Sequence, residues 1–244
     1  MANVLLETKD LSVGYGSAPV VAGLSLRLSE GEFVALVGPN GSGKTTFVRT
    51  LLGLLKPISG EVSSYSGLKG SIGYVPQSAQ LDLSLPLTGR EFLALKKETS
   101  KGQKETEIFQ LGQSLGITDE MLDMPLRNQS FGQRQRLLVG FALMSRPRIL
   151  FLDEATDGMD YQAQAQLFRD LATLQKSTGV CVLFVSHDIT AVASHANRVI
   201  CLNRELLYDG SPKSPEFHSC LHKIYGSDSV IHSHDHDSHS GESH

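Results

Sequence analysis

The sequence lacks an apolar run long enough to cross a membrane. No window approaches 18 consecutive apolar residues, and the opening MANVLLETKD lacks a basic segment followed by a long apolar stretch. A membrane-spanning helix needs about 20 apolar residues, and a signal peptide needs a charged and then an apolar N-terminal segment. We therefore expect neither a membrane span nor a signal peptide.

The sequence also lacks an excess of basic residues. Lys and Arg total 22 against 26 Asp and Glu; four of the acids and none of the bases fall in the last 18 residues, so residues 1–226 balance at 22 against 22. Nucleic-acid-binding surfaces are usually basic. We therefore expect no nucleic acid among the partners.

Cysteine is scarce, which argues against a disulfide framework. Cys181, Cys201 and Cys220 are widely spaced, and no CxxC pair occurs. Disulfide-stabilised secreted domains and structural zinc sites usually show closer or more numerous cysteines. We expect reduced thiols and a cytoplasmic compartment.

Short apolar runs alternate with helix-like segments along most of the chain. Buried strands are predicted at Phe33–Val37 and within RILFLDEA and GVCVLFVSHD, each followed by a helical pattern. This βα alternation indicates a mostly parallel sheet, and 244 residues with 40% hydrophobic residues can bury a core as one domain. The charged stretch from about Gly89 to Gly116 is typical of a helical insertion.

The segment GPNGSGKT, between a predicted strand and a predicted helix, matches the phosphate-binding pattern GxxxxGK[ST] in full. Glycines at Gly38, Gly41 and Gly43 allow the backbone to curl with its N–H groups inward, and a helix N-terminus adds positive charge. Lys44 would reach the β- and γ-phosphates, and the Thr45 hydroxyl would bind Mg²⁺. The alternative is a chance match with a structural role only.

Two further strand ends carry polar side chains. The run ILFLDE delivers Asp153 and Glu154 to the edge of the sheet where ligands gather, so that Asp153 would hold Mg²⁺ and Glu154 would polarise an attacking water. His187, after FVS, would contact the γ-phosphate or that water. A plain strand end and a structural histidine are the competing interpretations.

Together these motifs resemble the nucleotide-binding subunit of an ABC transporter, from about residue 4 to residue 226. Within the resemblance, Tyr15 matches an aromatic that stacks on adenine, Gln77 in GYVPQ matches a glutamine that contacts Mg²⁺ and the attacking water, QSFGQ occupies the LSGGQ signature, and DGMD follows the catalytic Glu. Motif and resemblance assign nucleotide binding to Tyr15, Gly38, Pro39, Asn40, Gly41, Ser42, Gly43, Lys44, Thr45, Thr46, Ser130, Gly132, Gln133 and Asp160. They assign catalysis to Glu154, His187 and Gln77, and Mg²⁺ binding to Thr45, Asp153 and Gln77.

The resemblance implies an α/β P-loop NTPase fold of ABC type. It has a mostly parallel core sheet, an N-terminal antiparallel β subdomain and an inserted helical subdomain at about 87–146. The nucleotide-binding domain would span 1–226 and a histidine-rich tail 227–244. Two copies would pair head to tail, with each ATP held between the phosphate loop of one copy and the signature of the other.

The signature departs from the family pattern. Gln129 stands in place of Leu and Phe131 in place of the first Gly, and Ala155 replaces the Pro that usually follows the catalytic Glu. A side chain at Phe131 occupies space that glycine leaves open near a γ-phosphate. We expect active but slowed hydrolysis.

Within the superfamily, LDLSLPLT, SPEF and YG are most similar to the ATP-binding subunits of bacterial zinc and manganese importers, the zinc importers above all. This implies a peripheral protein on the cytoplasmic side of the inner membrane, with ATP and Mg²⁺ as cofactors. Its partners would be polytopic permease subunits and, indirectly, an extracytoplasmic metal-binding protein. The alternatives are a manganese or iron importer, a soluble ABC ATPase acting on nucleic acid or ribosomes, and a metal-binding protein with a vestigial nucleotide site.

The C-terminal HSHDHDSHSGESH allows three interpretations. Its interruption by Ser and Asp differs from an affinity tag, its polarity suits a solvated end, and its imidazoles suit Zn²⁺. The zinc hypothesis, with cytoplasmic zinc sensing or buffering as its function, assigns the ligands His232, His234, His236 and His239.

Overall fold

The computed structural model describes residues 3–64, 71–77, 85–97, 112–186 and 195–225. The strands in these ranges are β1 (Val4–Tyr15), β2 (Ala18–Ser29), β3 (Phe33–Val37), β4 (Ser59–Ser64), β5 (Ile72–Val75), β6 (Ile149–Asp153), β7 (Cys181–Ser186), β8 (Arg198–Leu202) and β9 (Leu206–Gly210). The helices are α1 (Lys44–Leu51), α2 (Gly89–Lys97), α3 (Asp119–Asp123), α4 (Phe131–Leu143), α5 (Tyr161–Thr178) and α6 (Pro215–Tyr225).

The central sheet has the strand order β5-β6-β7-β3-β8-β9. All neighbouring pairs are parallel except β8 and β9, which form the antiparallel hairpin at one edge. Every residue of β3, β6 and β7 is buried, as expected for strands whose two faces are both covered. The predicted mostly parallel sheet is confirmed.

This sheet separates two hydrophobic cores, because successive side chains of a strand point to opposite faces. Phe33, Ala35 and Val37 pack with residues of α2, α4, α5 and α6. Val34 and Leu36 pack with β1, β2 and α1 on the other face. Strand β3 therefore packs against the layers on both faces of the sheet. The segment that follows β3 is consequently anchored by both cores.

A second sheet, of order β2-β1-β4, is antiparallel. Its inward-facing leucines join the core that also contains Phe47 and Val48 of α1. The predicted N-terminal antiparallel β subdomain is confirmed. The helical insertion is described through α2, α3 and α4, whereas residues 98–111 of it lie outside the described ranges.

Two helices end earlier than the sequence predicts. The apolar pattern of the first continues to Gly53, but α1 ends at Leu51 because Gly53 takes φ 72° and the chain turns back onto the Arg49 carbonyl. For the second, the pattern GQRQRLLVGFALMS predicts a helix that continues to Ser145 and stops before Pro147. It ends at Leu143, and Arg146, next to the proline, has φ 49°.

Candidate functional site

The segment GPNGSGKT forms a loop between β3 and α1. Lys44 is only 5% exposed, and its Nζ donates hydrogen bonds to the carbonyl oxygens of Gly38 (2.8 Å) and Pro39 (3.0 Å). Burial lowers the pKa of Lys44 from its ordinary value, although Glu154 and Asp153 oppose this shift. The loop thus holds a partly desolvated ammonium group at a helix N-terminus, an arrangement suited to an anion.

At two positions of the loop, glycine is required because neighbouring atoms lie too close to the backbone to leave room for a side chain. A Cβ on Gly38 would lie 2.0 Å from the carbonyl oxygen of Leu202, and one on Gly43 would lie 2.4 Å from Cγ2 of Val21. Gly43 also has φ 99°. The hydroxyl of Ser42 is buried and has no hydrogen-bond partner within the described ranges. The shape of the loop therefore fits a phosphate, and the Ser42 hydroxyl is a polar group that a phosphate could hydrogen-bond.

Asp153 is the last residue of β6 and is fully buried. Its Oδ1 accepts a hydrogen bond from the Thr45 hydroxyl at 3.2 Å, while its Oδ2 accepts none from the residues that the structure describes. Burial raises the pKa of Asp153, and the hydrogen bond from Thr45 opposes that shift. An unpaired carboxylate oxygen beside a hydroxyl is a donor set that fits Mg²⁺.

Glu154 follows Asp153 with its backbone in the left-handed region, at φ 50°. The parallel pairing of Val75 with Leu152 carries the next residues of both strands to the same edge of the sheet. Gln77 Nε2 donates a hydrogen bond to Glu154 Oε2. The structure thus brings together two of the predicted catalytic residues. The third, His187, lies outside the described residues, directly after β7 in the sequence.

Arg49 and Tyr74 join this site although nothing in the sequence pointed to them. Arg49 of α1 interacts with Tyr15 and Tyr74, and the interaction with Tyr15 is the main cause of its raised pKa. Tyr74 in turn interacts with Asp153, and burial raises the pKa of the Tyr74 hydroxyl. A helical arginine and a strand tyrosine are ordinary in sequence, so only the fold reveals this link between Tyr15 and Asp153.

The signature segment begins α4 with a capping box. The Ser130 hydroxyl accepts from the Gln133 backbone N–H at 3.2 Å, and the Ser130 N–H donates to Gln133 Oε1 at 2.8 Å. In the described part of the chain, no hydrogen bond joins Ser130, Gly132 or Gln133 to the phosphate loop. Ser130 and Gln133 are instead bonded to each other at the start of α4.

Both departures in the signature have a local structural account. Gln129 is 4% exposed, and its Nε2 donates to the carbonyl oxygens of Met121 (2.7 Å) and Met124 (3.0 Å). The ring of Phe131 lies against Gly158. A Cβ added to Gly158 would lie 3.4 Å from that ring. Glutamine thus supplies hydrogen bonds that leucine could not, and glycine leaves room for the phenylalanine.

Three other predicted nucleotide contacts, Asp160, Tyr15 and Thr46, lie on three different elements. Asp160 is the N-cap of α5, and its Oδ1 accepts from the Ala163 N–H at 2.8 Å. Tyr15 lies at the end of β1 with 58% of its surface exposed, as an aromatic available for stacking would be. Thr46 is buried in the first turn of α1. The nucleotide-binding roles of these residues stay predictions.

Comparison with known proteins decides the family. The family model described as ABC transporter matches residues 21–157, more than half of the chain. The chain belongs to the ABC transporter family. The zinc import ATP-binding protein ZnuC of Yersinia pestis is 38% identical to this ABC protein over 226 residues, which are 93% of this chain and 87% of that one.

Solved ABC proteins share its fold. The structure of cbiO1 from Clostridium perfringens, part of the ABC transporter complex cbiONQ, superposes with a TM-score of 0.76 at 25% identity, covering 91% of this chain and 96% of that one. A dimeric bacterial ABC transporter cassette superposes with a TM-score of 0.71 at 25% identity, covering 86% of this chain and 100% of that one. The predicted family resemblance and fold class are confirmed.

No helix in the described ranges is long and apolar enough to cross a membrane. Membrane permease partners and dimers of the ATP-binding subunit are typical of ABC transporters.

Proposed function

We propose that this protein is the ATP-hydrolysing subunit of a bacterial ABC importer for a divalent metal, specifically zinc. The observation that carries the proposal is the convergence of Lys44, Thr45, Asp153, Glu154 and Gln77 at one edge of the central sheet. ATP hydrolysis coupled to transport is the activity of ABC transporter subunits. The extensive similarity to ZnuC supports zinc as the transported ion.

The phosphate loop and its flanking residues would hold the nucleotide. Lys44 would exchange its contacts with two loop carbonyls for phosphate oxygens, and the unpaired Ser42 hydroxyl would donate to another. Thr45 and Asp153 offer oxygen ligands for Mg²⁺, which supplies charge neutralisation when MgATP is bound. Tyr15, held by Arg49, would stack on the adenine.

Glu154 would accept the proton of the attacking water. The hydrogen bond from Gln77 would orient the Glu154 carboxylate towards that water. His187, at the end of the neighbouring strand in the sequence, would hydrogen-bond the γ-phosphate. Gln77 would also sense the membrane subunit, as the family resemblance implies.

A second copy of the chain would complete each site. Ser130, Gly132 and Gln133 form no hydrogen bond with the phosphate loop among the described residues, and a head-to-tail partner would present them, together with Asp160, to the nucleotide. The dimeric cassette of similar fold supports this arrangement. We infer a nucleotide-binding domain over 1–226, with its helical subdomain at about 87–146.

The importer would place this subunit on the cytoplasmic face of the inner membrane. Polytopic permease subunits would form the pathway, and an extracytoplasmic metal-binding protein would deliver the ion. The tail at 227–244 would bind Zn²⁺ separately through its imidazoles.

The ATPase assignment is tested by Glu154→Gln in the assembled transporter. Loss of the general base should lower the turnover number by about 10² to 10⁴ while ATP still binds. Glu205→Gln, an exposed glutamate in the β8–β9 turn, is the matched control and should leave turnover unchanged. Equal turnover in both variants would refute the role of Glu154.

The transported ion is tested by growth of a deletion strain under zinc or manganese chelation. Wild type should rescue growth under zinc limitation, and Glu154→Gln should not. Rescue confined to manganese or iron limitation would overturn zinc while leaving the ATPase assignment intact.

A further inference from the structure

The turn between β8 and β9 lies against the phosphate loop. The Arg204 N–H at the centre of this turn donates a hydrogen bond to the carbonyl oxygen of Ser42 at 3.2 Å. Leu202, the last residue of β8, places its carbonyl oxygen 2.0 Å from the position that a Cβ on Gly38 would occupy. The turn and the strand before it therefore contact the loop at its first and fifth residues.

The hydrogen bond from Arg204 orients the peptide unit that joins Ser42 to Gly43. A trans peptide unit is planar, with its C=O and N–H groups pointing in opposite directions, and this one is trans. Because the Ser42 carbonyl oxygen points to the turn, the Gly43 N–H points away from it. Among the described residues this N–H donates no hydrogen bond. Within those ranges it is therefore a donor open to a ligand of the loop.

Strand β2 holds the turn from its other side. The Ala22 N–H donates a hydrogen bond to the Arg204 carbonyl oxygen at 3.1 Å. The neighbouring Val21 also packs on the loop, since its Cγ2 lies 2.4 Å from the position of a Cβ on Gly43. The turn, the strand and the loop thus contact one another in pairs, and a shift of one of them would disturb both others.

The backbone of Arg204 has the left-handed conformation, with φ 65°. This region is uncommon for residues other than glycine, and such conformations persist where the surrounding structure imposes them. The hydrogen bonds with Ser42 and Ala22 are constraints of that kind. The Arg204 side chain is exposed, and among the residues that the structure describes its guanidinium forms no hydrogen bond or ion pair. The contact with the loop therefore belongs to the backbone of Arg204.

We propose that Arg204 is a positioning residue for the phosphate loop, whose backbone holds the Ser42–Gly43 peptide so that the Gly43 N–H faces a phosphate of the bound nucleotide. This inference rests on the proposed function, because it assumes that MgATP binds at this loop. A net hydrogen bond is worth about three- to tenfold in a binding constant. Substrate and transition state both carry the phosphates, so the loss should raise KM and leave kcat unchanged.

The role of Arg204 is tested by titrating the full chain with a fluorescent ATP analogue and Mg²⁺. Arg204→Pro removes the N–H and fixes φ near about −65°, so the Kd should rise by about three- to tenfold. Arg204→Gly keeps the N–H and readily adopts positive φ, so it should bind as wild type does. If the proline variant does not fold, Arg204→Val replaces it. Valine keeps the N–H but strongly disfavours φ 65°, so its Kd should also rise.

A second comparison separates positioning from a general loss of stability. Leu174 is 6% exposed near the end of α5, where the Gly179 carbonyl oxygen accepts a hydrogen bond from Gly31, just before β3. This is the end of β3 opposite to the phosphate loop. Leu174→Ala should therefore lower Tm while leaving the Kd unchanged. In the assembled transporter, Arg204→Pro should raise KM for ATP by the factor found for the Kd, with kcat unchanged.

Three results would overturn the proposal. Folded Arg204→Pro binding as tightly as wild type would show that the turn does not position the loop. An equal loss in Arg204→Gly would assign the effect to the guanidinium, and an equal loss in Leu174→Ala would assign it to stability. In all three cases wild type still binds MgATP and Lys44→Ala does not. Absence of binding by wild type is the distinct result that would refute the proposed function and this inference together.

Discussion

The glycines of the phosphate loop differ in what an added methyl group would meet. Gly43 has φ 99° and its Cβ would lie 2.4 Å from Val21 Cγ2 and 3.1 Å from Val20 Cγ1. Gly41 has φ 77° with no atom within 4 Å of the Cβ position. We therefore predict that Gly43→Ala destabilises the protein more than Gly41→Ala does.

The magnitude follows from two costs. A non-glycine residue in the left-handed region costs about 1–2 kcal/mol, which both variants incur. Gly43→Ala adds an overpacking cost of about 1–3 kcal/mol, because Val21 is buried and its branched side chain has little freedom to move. The expected totals are about 3 kcal/mol for Gly43→Ala and about 1 kcal/mol for Gly41→Ala.

Thermal unfolding without nucleotide measures the difference directly. At about 2–4 °C per kcal/mol for a chain of this size, Gly43→Ala should lower Tm by about 6–12 °C and Gly41→Ala by about 2–4 °C. Omitting the nucleotide keeps effects on ligand binding out of the comparison. If both variants lower Tm equally, contact with Val21 of β2 is not the reason that position 43 requires glycine, and the steric argument fails.

Two further predictions concern the signature helix. Phe131→Gly should raise the ATPase rate of the assembled transporter, because we expect the ring to slow closure of the dimer. An unchanged rate would show that the packing of the ring on Gly158 already removes the obstruction. Arg136→Ala breaks an ion pair with Asp170 whose side chains are 11% and 14% exposed, so urea unfolding should show a loss of about 3 kcal/mol. The exposed pair of Arg90 and Asp123 is the control, since Arg90→Ala should cost about 1 kcal/mol or less.

The phosphate loop and the parallel sheet were predictable because local pattern determines both. Glycine spacing, an apolar strand before the loop and a helical pattern after it are all properties of neighbouring residues. Asp153 and Glu154 were found for the same reason, since a strand end is visible in sequence. Their contacts with Thr45 and Gln77 follow from the parallel pairing of strands.

The contacts that escaped prediction depend on distant parts of the chain. Arg49 links Tyr15 to Tyr74 only because β1, α1 and β5 meet in the fold. Phe131 was judged against a family pattern, and its partner Gly158 lies 27 positions away. The helix ends at Leu51 and Leu143 were missed because apolar periodicity continues past the point where the backbone turns.

The left-handed backbone of Glu154 has a consequence for engineering towards family consensus. Proline restricts the residue before it to an extended conformation, with φ near −120°. Ala155 imposes no such restriction, and Glu154 has φ 50°. Restoring the common proline by Ala155→Pro would therefore rotate the backbone that carries the carboxylate, separate it from Gln77 and lower the rate. Here a substitution that brings the sequence closer to its relatives would take the site further from its working geometry.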